Sequence, residues 1–242
     1  MNISLYKYTN EGSRAVNEDN LGINNFGNFV SAVVCDGLGG HNRGDVASKL
    51  AVEKITEGIS RLDSINAESI RAILKSANNA IVKKQNENSA FEGMRTTVVG
   101  CIVDNRDIYY FNCGDSRFYY FSGGSVASMS KDHSVLQTAV DRGEISPDDI
   151  RFDESRNKLY KVLGDDISGE SGTVYTPIAY KSGDAFILCS DGFWENILEE
   201  EMEIDLSKSS SAQEWVEYML VRLLLRLDGT NDNFTVIGGI IE

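Results

Sequence analysis

The central feature of the sequence is the stretch Val33-Val34-Cys35-Asp36-Gly37-Leu38-Gly39-Gly40-His41. The apolar run from Val30 to Cys35 predicts a strand buried on both faces, because it is too short for a helix. Asp36 then places a carboxylate at the end of the strand, where burial without a partner is costly. The glycines leave the backbone bare, so that its carbonyl groups can approach a ligand closely. This pattern indicates either a hairpin turn, for which Asp-Gly is typical, or a site for a hard cation held by oxygen ligands.

The same arrangement of an apolar run and a terminal carboxylate recurs along the chain. Ala185 to Cys189 leads into Ser190-Asp191-Gly192, and Asp232 precedes the apolar run that starts at Phe234. A turn is the alternative in each case, but strands of one sheet can bring their ends together. Carboxylates gathered in this way repel one another unless a cation neutralises them. A metal site is therefore predicted from four aspartates: Asp36, Asp115, Asp191 and Asp232.

Composition and charge limit the class of protein. The 242 residues contain no Pro-rich, Gly/Ser-rich or charge-block linker, which favours a single domain over residues 1–242. With 37 acidic and 23 basic side chains the formal net charge is −14, which disfavours binding to nucleic acid or to anionic membranes. The four cysteines lack CxxC or zinc spacing and are expected as buried, reduced thiols. Since neither a signal peptide nor a membrane-inserting segment is recognisable, we expect a cytoplasmic protein.

The order of the predicted elements indicates an α+β fold. Helical spacing predicts a helix from Gly44 to about Ile59, a second helix after it, and a long helix from Ser210 to Leu227. Four strands joined in hairpins are predicted between Thr97 and Met129, and one strand over Thr173 to Tyr180. Antiparallel strands in clusters, separated by helical blocks, are typical of α+β proteins and not of βαβ repeats. The polar segment from Asp132 to Gly172 is expected to lie over a site.

The residue types favour one kind of metal and exclude several other sites. Scarce histidine and plentiful aspartate favour magnesium or manganese over zinc or copper. No nucleotide-binding glycine motif is present, and a Ser-His-Asp triad is poorly supported. His41 is either a local hydrogen-bond or proton-transfer group or an ordinary loop histidine, and His133 is predicted to be structural. Arg14 is either a solvated surface residue or a fork for a phosphate.

Short motifs follow one another in a fixed order from Gly12 to Thr235. They are Ser13-Arg14, Asn17-Glu18-Asp19, Asp36 to His41, Gly44 to Ser48, Met94 to Thr97, Gly114 to Arg117, Asp132 to Ser134, Cys189 to Trp194 and Asp232 to Thr235. The ordered set resembles the metal-dependent protein serine/threonine phosphatases of the protein phosphatase 2C (PPM) family, in its compact bacterial branch. The resemblance implies two antiparallel β-sheets packed as a central sandwich with helices on both sides, a four-layer α-β-β-α architecture.

The resemblance also implies a two-ion site. Asp36 would bridge two Mn²⁺ or Mg²⁺ ions, and Asp191 and Asp232 would complete the site of the first ion. The carbonyl of Gly37 would bind the second ion, which Glu18 would reach through water. In this mechanism a water or hydroxide bridging the two ions attacks phosphorus directly, without a phosphoenzyme intermediate.

Further residues take supporting roles by the same resemblance. Arg14 would hold the substrate phosphate. Asp115, together with Asp191, would hold a third, weaker ion, although an aspartate that pairs with Arg117 or caps a turn is the alternative. Positions around the ligands are expected for Asp19, Asn233 and His41.

Two departures from the family and two rival functions remain open. Arg95 stands where family members usually have glycine, and Leu38 stands where eukaryotic relatives carry a histidine proposed as general acid, so leaving-group protonation is unassigned. The predicted function is a monomeric phosphatase acting on phosphoproteins, the products of a serine/threonine kinase. The alternatives are a pseudophosphatase that binds phosphoproteins without turnover, and a hydrolase of small phosphate esters or nucleotides.

Overall fold

The computed structural model describes residues 2–39, 43–165 and 169–242, and the elements are numbered within these ranges. The strands are β1 (Ile3–Asn10), β2 (Asn20–Asn25), β3 (Val30–Cys35), β4 (Gly37–Leu38), β5 (Arg95–Thr96), β6 (Val98–Val103), β7 (Asp107–Cys113), β8 (Arg117–Ser122), β9 (Ser125–Met129), β10 (Thr173–Val174), β11 (Ile178–Ala179), β12 (Ala185–Cys189) and β13 (Phe234–Ile241). The helices are α1 (Gly44–Ser60), α2 (Ala67–Glu87), α3 (Val135–Asp141), α4 (Asp191–Trp194), α5 (Glu199–Leu206) and α6 (Ala212–Leu224).

The strands form two antiparallel sheets. One has five strands in the order β1-β13-β12-β8-β9, and the other follows the path β10-β7-β6-β3-β2, with β11 also paired to β7. The first and last strands pair along their whole length, from Ile3 opposite Ile241 to Asn10 opposite Phe234. Both ends of the chain therefore contribute to the same sheet. A separate two-residue ladder joins β4 to β5.

Three apolar clusters show how the sheets and helices are layered. On β3, Ala32 and Val34 face a cluster shared with Phe118 and Leu188 of the other sheet, so this cluster lies between the sheets. The alternate residues of β3 face a second cluster with α1 and α2. A third cluster joins the five-stranded sheet to α6, through residues such as Trp215. Because neighbouring strand residues point to opposite faces, a fully apolar strand serves both layers. The predicted four-layer α-β-β-α architecture is confirmed.

The structure differs from the sequence predictions at two places, the crossing between the sheets and the strand expected over Thr173 to Tyr180. The hairpins β6–β7 and β8–β9 form as predicted, but β7 and β8 belong to different sheets, and the chain crosses between them at Gly114–Ser116. The single strand expected over Thr173 to Tyr180 is instead two short strands, β10 and β11, both paired to β7. Of the helices in the described ranges, none combines the length and apolarity that a bilayer crossing requires.

Candidate metal and phosphate site

Strands of both sheets end around one cleft of about 510 Å³. Asp36 follows β3, Asp115 lies at the crossing between β7 and β8, Asp191 opens α4, and Asp232 lies just before β13. The four aspartates therefore come from four separate parts of the chain. Most of the predicted site residues line this cleft, namely Arg14, Glu18, Asp36, Gly37, Asp115, Asp191, Asp232 and Asn233.

Two threonines hold the backbone of Asp36. The Asp36 N–H donates to Thr97 Oγ1 over 3.0 Å, and its carbonyl accepts from Thr96 Oγ1 at 2.7 Å and from the Thr97 N–H at 2.8 Å. Thr97 Oγ1 also lies 2.7 Å from Ser116 Oγ, beside Asp115. A backbone fixed in this way presents its carboxylate from a rigid support, which is what a ligand or catalytic group requires.

Two glycines bring the end of β3 against the start of α1. A Cβ on Gly37 would lie 2.3 Å from the carbonyl of Gly44 and 2.6 Å from the carbonyl oxygen of Glu18, so only glycine fits there. This close approach brings Glu18 to the N-terminus of α1, where the Gly44 N–H donates to Glu18 Oε1 over 3.1 Å. The helix N-terminus favours a carboxylate, but burial is the larger effect and raises the pKa of Glu18.

Asn233 fixes the loop that presents Arg14 and Glu18. Its Oδ1 accepts from the Glu18 N–H at 2.8 Å, and its Nδ2 donates to the carbonyls of Glu11 and Val16 at 2.8 and 3.1 Å. Arg14 Nη2 in turn lies 2.8 Å from Asp232 Oδ2. The loop is thus anchored to the residues that begin β13, and its guanidinium reaches the cleft.

Asp19 lies buried behind the cleft. Its Oδ2 accepts from Ser190 Oγ at 2.7 Å, and Ser190 Oγ accepts from the Thr235 N–H at 2.9 Å. Burial raises the pKa of Asp19 to about 6, and its Oδ1 has no hydrogen-bond partner among the described residues. These contacts fix the residue before Asp191. The remaining predicted residue, His41, lies outside the described residues.

The turn that carries Asp115 is held by contacts on both sides. Gly114 adopts a φ of +104°, and its carbonyl accepts from the His133 N–H at 2.8 Å while its own N–H donates to His133 Nδ1 at 3.2 Å. On the other side, Trp194 Nε1 donates to the Asp115 carbonyl at 3.0 Å. The carboxylate of Asp115 is therefore placed in the cleft by its backbone.

Arg117 pairs with Asp132 and not with Asp115. Its Nε and Nη2 donate to the two Asp132 carboxylate oxygens at 2.9 and 2.7 Å, and the side chains are only 5% and 1% exposed. Its Cζ lies 3.5 Å from the ring centre of Trp194, which is a close cation–π contact. The alternative in which Asp115 pairs with Arg117 is therefore not observed among the described residues, although the charge of Arg117 lowers the pKa of Asp115 as one of the smaller effects.

The carboxylates of the cleft destabilise one another's charged forms. Burial, followed by the charge of Asp191, raises the pKa of Asp36 well above its usual range. Burial and then Asp115 do the same for Asp191. The pKa of Asp115 rises to about 7, chiefly through burial and then the charge of Asp132. A divalent cation would reverse this penalty, because opposite charge favours the ionised form of each group.

The donor set fits a hard divalent cation, although the side chains point partly elsewhere. Across residues 2–39, 43–165 and 169–242, no three Asp, Glu, His or Cys side chains stand together as a finished set of metal ligands. Asp232 is turned toward Arg14, and Asp191 Oδ1 accepts from the Gly192 N–H at 2.6 Å. The groups lining the cleft are carboxylates and backbone carbonyls, which are the ligands of Mg²⁺ and Mn²⁺. An ion held by Asp232 would compete with the contact of that residue to Arg14.

Several residues of the site were quoted only as parts of motifs or were not singled out from the sequence. Thr96 and Thr97 lie in a recognised motif, but their hydrogen bonds to Asp36 need β3 to pair with β6 and β4 to pair with β5. Asn157 and Leu159 line the cleft from the segment expected to lie over a site. The spacing of residues in this segment does not identify Asn157 and Leu159 as site residues. The segment has no regular periodicity, because isolated contacts such as the pairing of Ser134 with Leu159 hold it in place.

Comparison with known proteins agrees with this architecture. The family described as "Protein phosphatase 2C" matches residues 8–225. The chain is similar to the serine/threonine phosphatase stp of Listeria welshimeri, with 32% identity over 91% of this chain and 88% of that one. It is also similar to the crystal structure of the catalytic domain of PstP in complex with two manganese ions, with a TM-score of 0.85, 25% identity and 99% coverage of both chains. The structure of Stp1 from Staphylococcus aureus gives a TM-score of 0.87 at 27% identity, covering 100% of this chain and 96% of that one. The chain therefore belongs to the protein phosphatase 2C family.

Proposed function

We propose that the chain is a metal-dependent protein serine/threonine phosphatase that uses two Mn²⁺ or Mg²⁺ ions, with a third, weaker ion at Asp115. The observation that carries this proposal is the cleft itself, where carboxylates from separate parts of the chain meet one arginine and a bare backbone carbonyl. Like charges are gathered at a cost in free energy, which a cation site explains. The manganese bound by PstP, a relative of the same fold, supports the choice of ion.

The positions of the groups support the proposed ligand roles. Asp36, whose backbone is held by two threonines, would be a ligand of both ions, and Asp191 and Asp232, which adjoin strands of the other sheet, would hold the first ion with it. The carbonyl of Gly37 would bind the second ion, with Glu18 beside it in the cleft lining. When bound, such ions supply a nucleophile at neutral pH and stabilise charge on the phosphate oxygens.

The remaining side chains position the substrate. Arg14 is 59% exposed, and among the residues that the structure describes its side chain contacts Asp232 through Nη2, which leaves other donors to bind a phosphate. Asn233 and Asp19 hold the segments that carry Arg14, Glu18 and Asp191. A phosphate held by Arg14 would lie in the same cleft as the carboxylates.

We further propose that residues 1–242 form a single catalytic domain that acts as a monomer in the cytoplasm. The pairing of β1 with β13 supports one folding unit. The substrates proposed are phosphoserine and phosphothreonine proteins made by a serine/threonine kinase, since the relatives are named as phosphatases of this type. The formal charge of −14 argues against nucleic acid as a partner.

The deciding experiment is phosphate release from phosphothreonine peptides and from nucleotides, with Mn²⁺ and with excess chelator. We expect Mn²⁺-dependent turnover of the peptides and its loss in Asp191→Asn, with Asp63→Asn, an exposed aspartate far from the cleft, as the matched control. Peptide binding without turnover would indicate a pseudophosphatase. A preference for nucleotides would indicate a small-ester hydrolase.

A further inference from the structure

The chain has two tryptophans, Trp194 and Trp215, and both are fully buried. A buried indole needs a partner for its N–H group. Trp215 Nε1 donates to the carbonyl of Met202 at 2.8 Å, and neither of these two is among the described residues that line the cleft. Trp194 Nε1 donates instead to the carbonyl of Asp115, at 3.0 Å. The two indoles thus make the same kind of bond, but that of Trp194 ends on a proposed metal ligand.

Asp115 and Asp191 lie just beyond the point where the sheet stops holding their strands together. The ladder between β8 and β12 ends at the pair of Arg117 with Cys189. Asp115 precedes Arg117 by two residues and Asp191 follows Cys189 by two, so both lie past the same end of this ladder. Ligands that share one ion must be held to within about 0.5 Å of a productive geometry. Their spacing therefore needs a contact other than strand pairing.

Trp194 supplies such a contact, because it belongs to the same helical turn as Asp191. Its backbone N–H donates to the carbonyl of the residue before Asp191, at 3.3 Å, which closes the turn. On another side the turn packs directly against the segment that leads into β13, since a Cβ on Gly192 would lie 2.1 Å from the carbonyl oxygen of Asn233. The backbone that carries Asp191 is therefore joined to that of Asp115 through one side chain.

The ring of Trp194 is itself held in place by buried guanidinium groups. Arg117 Cζ lies 3.5 Å from the ring centre, and Arg151 Cζ lies 5.7 Å from it. Arg117 is fixed in turn, because it donates to both carboxylate oxygens of Asp132 at 2.9 and 2.7 Å and to the hydroxyl of Tyr119 at 3.3 Å. The direction of the indole N–H is thus set by the fold before any ion binds.

We propose that Trp194 is a positioning residue that sets the spacing of Asp115 and Asp191, and thereby the affinity of the site for the outer ion that these two carboxylates share. The inference rests on the proposed phosphatase function and adds to it a determinant of its metal dependence. Trp194 is only 1% exposed and is not itself a ligand, so it acts through the two aspartates.

The first experiment compares Trp194→Phe with Trp215→Phe in Mn²⁺ titrations of phosphopeptide turnover. Each variant removes one buried indole N–H and its bond to a backbone carbonyl and keeps an aromatic ring. We expect Trp194→Phe to raise the Mn²⁺ concentration for half-maximal turnover about three- to tenfold, the factor that one hydrogen bond supplies, with kcat at saturating Mn²⁺ largely kept. Trp215→Phe should leave that concentration unchanged. In an Asp115→Asn background Trp194→Phe should add nothing further, because the ligand through which it acts is gone.

Tryptophan fluorescence gives a second readout, which does not depend on turnover. Trp194 is the remaining tryptophan in Trp215→Phe, and we expect Mn²⁺ to change its emission over the concentration range that activates the enzyme. Adding Asp115→Asn to this variant should abolish the change. The emission of Trp215 in Trp194→Phe should not respond in this range. If Trp194→Phe fails to fold, the titration of Trp215→Phe with and without Asp115→Asn still decides.

Three results would each overturn the role of Trp194 alone. They are a shift in Trp194→Phe no larger than that in Trp215→Phe, an undiminished shift in the Asp115→Asn background, and an emission of Trp194 that does not respond to Mn²⁺. Absence of Mn²⁺-dependent phosphate release from the wild type would overturn the proposed function together with the inference.

Discussion

Arg14 and Asp232 form an ion pair across the mouth of the cleft, with Arg14 Nη2 2.8 Å from Asp232 Oδ2. The relationship joins the residue proposed to bind phosphate to one proposed to bind metal. Both side chains are substantially exposed, at 59% and 41%, so the pair itself contributes about 1 kcal/mol or less to stability. Such a weak contact is readily exchanged when a phosphate binds Arg14 or an ion binds Asp232.

Arg14→Ala should therefore impair catalysis without impairing metal binding. A charge-assisted hydrogen bond contributes roughly 1.5–3 kcal/mol, so we expect kcat/KM for phosphopeptides to fall about ten- to a hundredfold. Mn²⁺ affinity, measured by calorimetry, should be unchanged or a few-fold tighter, because Asp232 loses a competitor. Arg14→Lys keeps the positive charge but loses the bidentate geometry of the guanidinium, so its kcat/KM should lie between those of the wild type and Arg14→Ala. Wild-type kinetics in Arg14→Ala would return Arg14 to the role of a surface charge.

Metal should stabilise the folded protein through the same carboxylates. An ion that binds only the folded state adds about 2.7 kcal/mol when its concentration is a hundredfold above its dissociation constant. We expect millimolar Mn²⁺ to raise the Tm of the wild type and of the Asp63→Asn control. Asp191→Asn should lose most of this rise, since it removes a proposed ligand. Equal shifts in all three proteins would place the stabilising ion elsewhere.

The buried pair of Arg117 and Asp132 should matter far more to stability than its exposed counterparts. Asp132→Leu leaves a buried guanidinium without its carboxylate, which costs about 3–5 kcal/mol. The double variant Arg117→Met, Asp132→Leu should be less destabilised than Asp132→Leu alone, because no unpaired charge remains.

The matched control for this prediction is Asp141→Leu, which breaks an exposed pair with Lys131 of 2.7 Å. We expect it to cost about 1 kcal/mol or less. Urea denaturation in the presence of chelator measures all three variants without a contribution from bound metal. Equal losses in Asp132→Leu and Asp141→Leu would contradict the importance of burial.

His133 should make the protein sensitive to acid. Burial, followed by the charge of Lys161, lowers the pKa of His133 from 6.5 to about 4. The unfolded chain therefore binds a proton more readily, so stability falls as the pH drops from about 6.5 toward 4, by at most about 1.4 kcal/mol per pH unit. The hydrogen bond with Gly114 and the charge of Asp132 act in the opposite direction but are smaller than the effect of burial.

The variant His133→Gln tests whether His133 makes stability fall as the pH drops. Any stability lost through the substitution should be largest near pH 7 and should shrink between pH 6 and pH 5, as measured by urea denaturation in chelator. The cleft carboxylates have raised pKa values and act in the opposite direction, but they are common to both proteins and cancel in the difference. A constant difference across this range would show that His133 titrates normally.

Much of the fold could be predicted from local patterns, and the exceptions share a physical cause. The apolar run of β3 and the helical spacing of α1 are local properties, and both elements lie where the sequence placed them. The crossing at Gly114 was not predictable, because two hairpins read the same whether they share a sheet or not. α5 was missed because its sequence, Glu199–Leu206, has no continuous apolar face.

The residues of the site also fall into those that local sequence predicts and those that depend on tertiary contacts. The carboxylates follow apolar runs and can be found from the sequence, because an acidic residue at the end of a buried strand is unusual. The groups that hold them in place depend on contacts across the chain, such as Trp194 with Asp115, which are 79 positions apart. Ordinary residues in ordinary segments, such as Asn157, acquire a role only through tertiary packing.

Asp115 provides the sharpest test of the proposed ion sites. Its carboxylate lines the cleft but comes from the sheet crossing, and its pKa of about 7 reflects burial and the charge of Asp132. The charge of Asp191 raises the pKa of Asp36, and the charge of Asp115 raises the pKa of Asp191. In the proposed arrangement Asp36 and Asp191 would hold the inner ions and Asp115 an outer, weaker one. We therefore expect Asp115→Ala to fold and to retain two ions in anomalous diffraction with Mn²⁺.

Turnover of Asp115→Ala should nevertheless fall, because an ion that positions water or product would be lost. Asp115→Asn keeps the size of the side chain and the backbone contact from Trp194, so it separates loss of charge from loss of packing. Both variants should retain the Mn²⁺-dependent rise in Tm that Asp191→Asn loses. Loss of the inner ions, or unchanged turnover at saturating Mn²⁺, would mean that Asp115 does not have this outer role. A fall in turnover with both inner ions retained is the combination that a purely structural aspartate would not produce in the Asn variant.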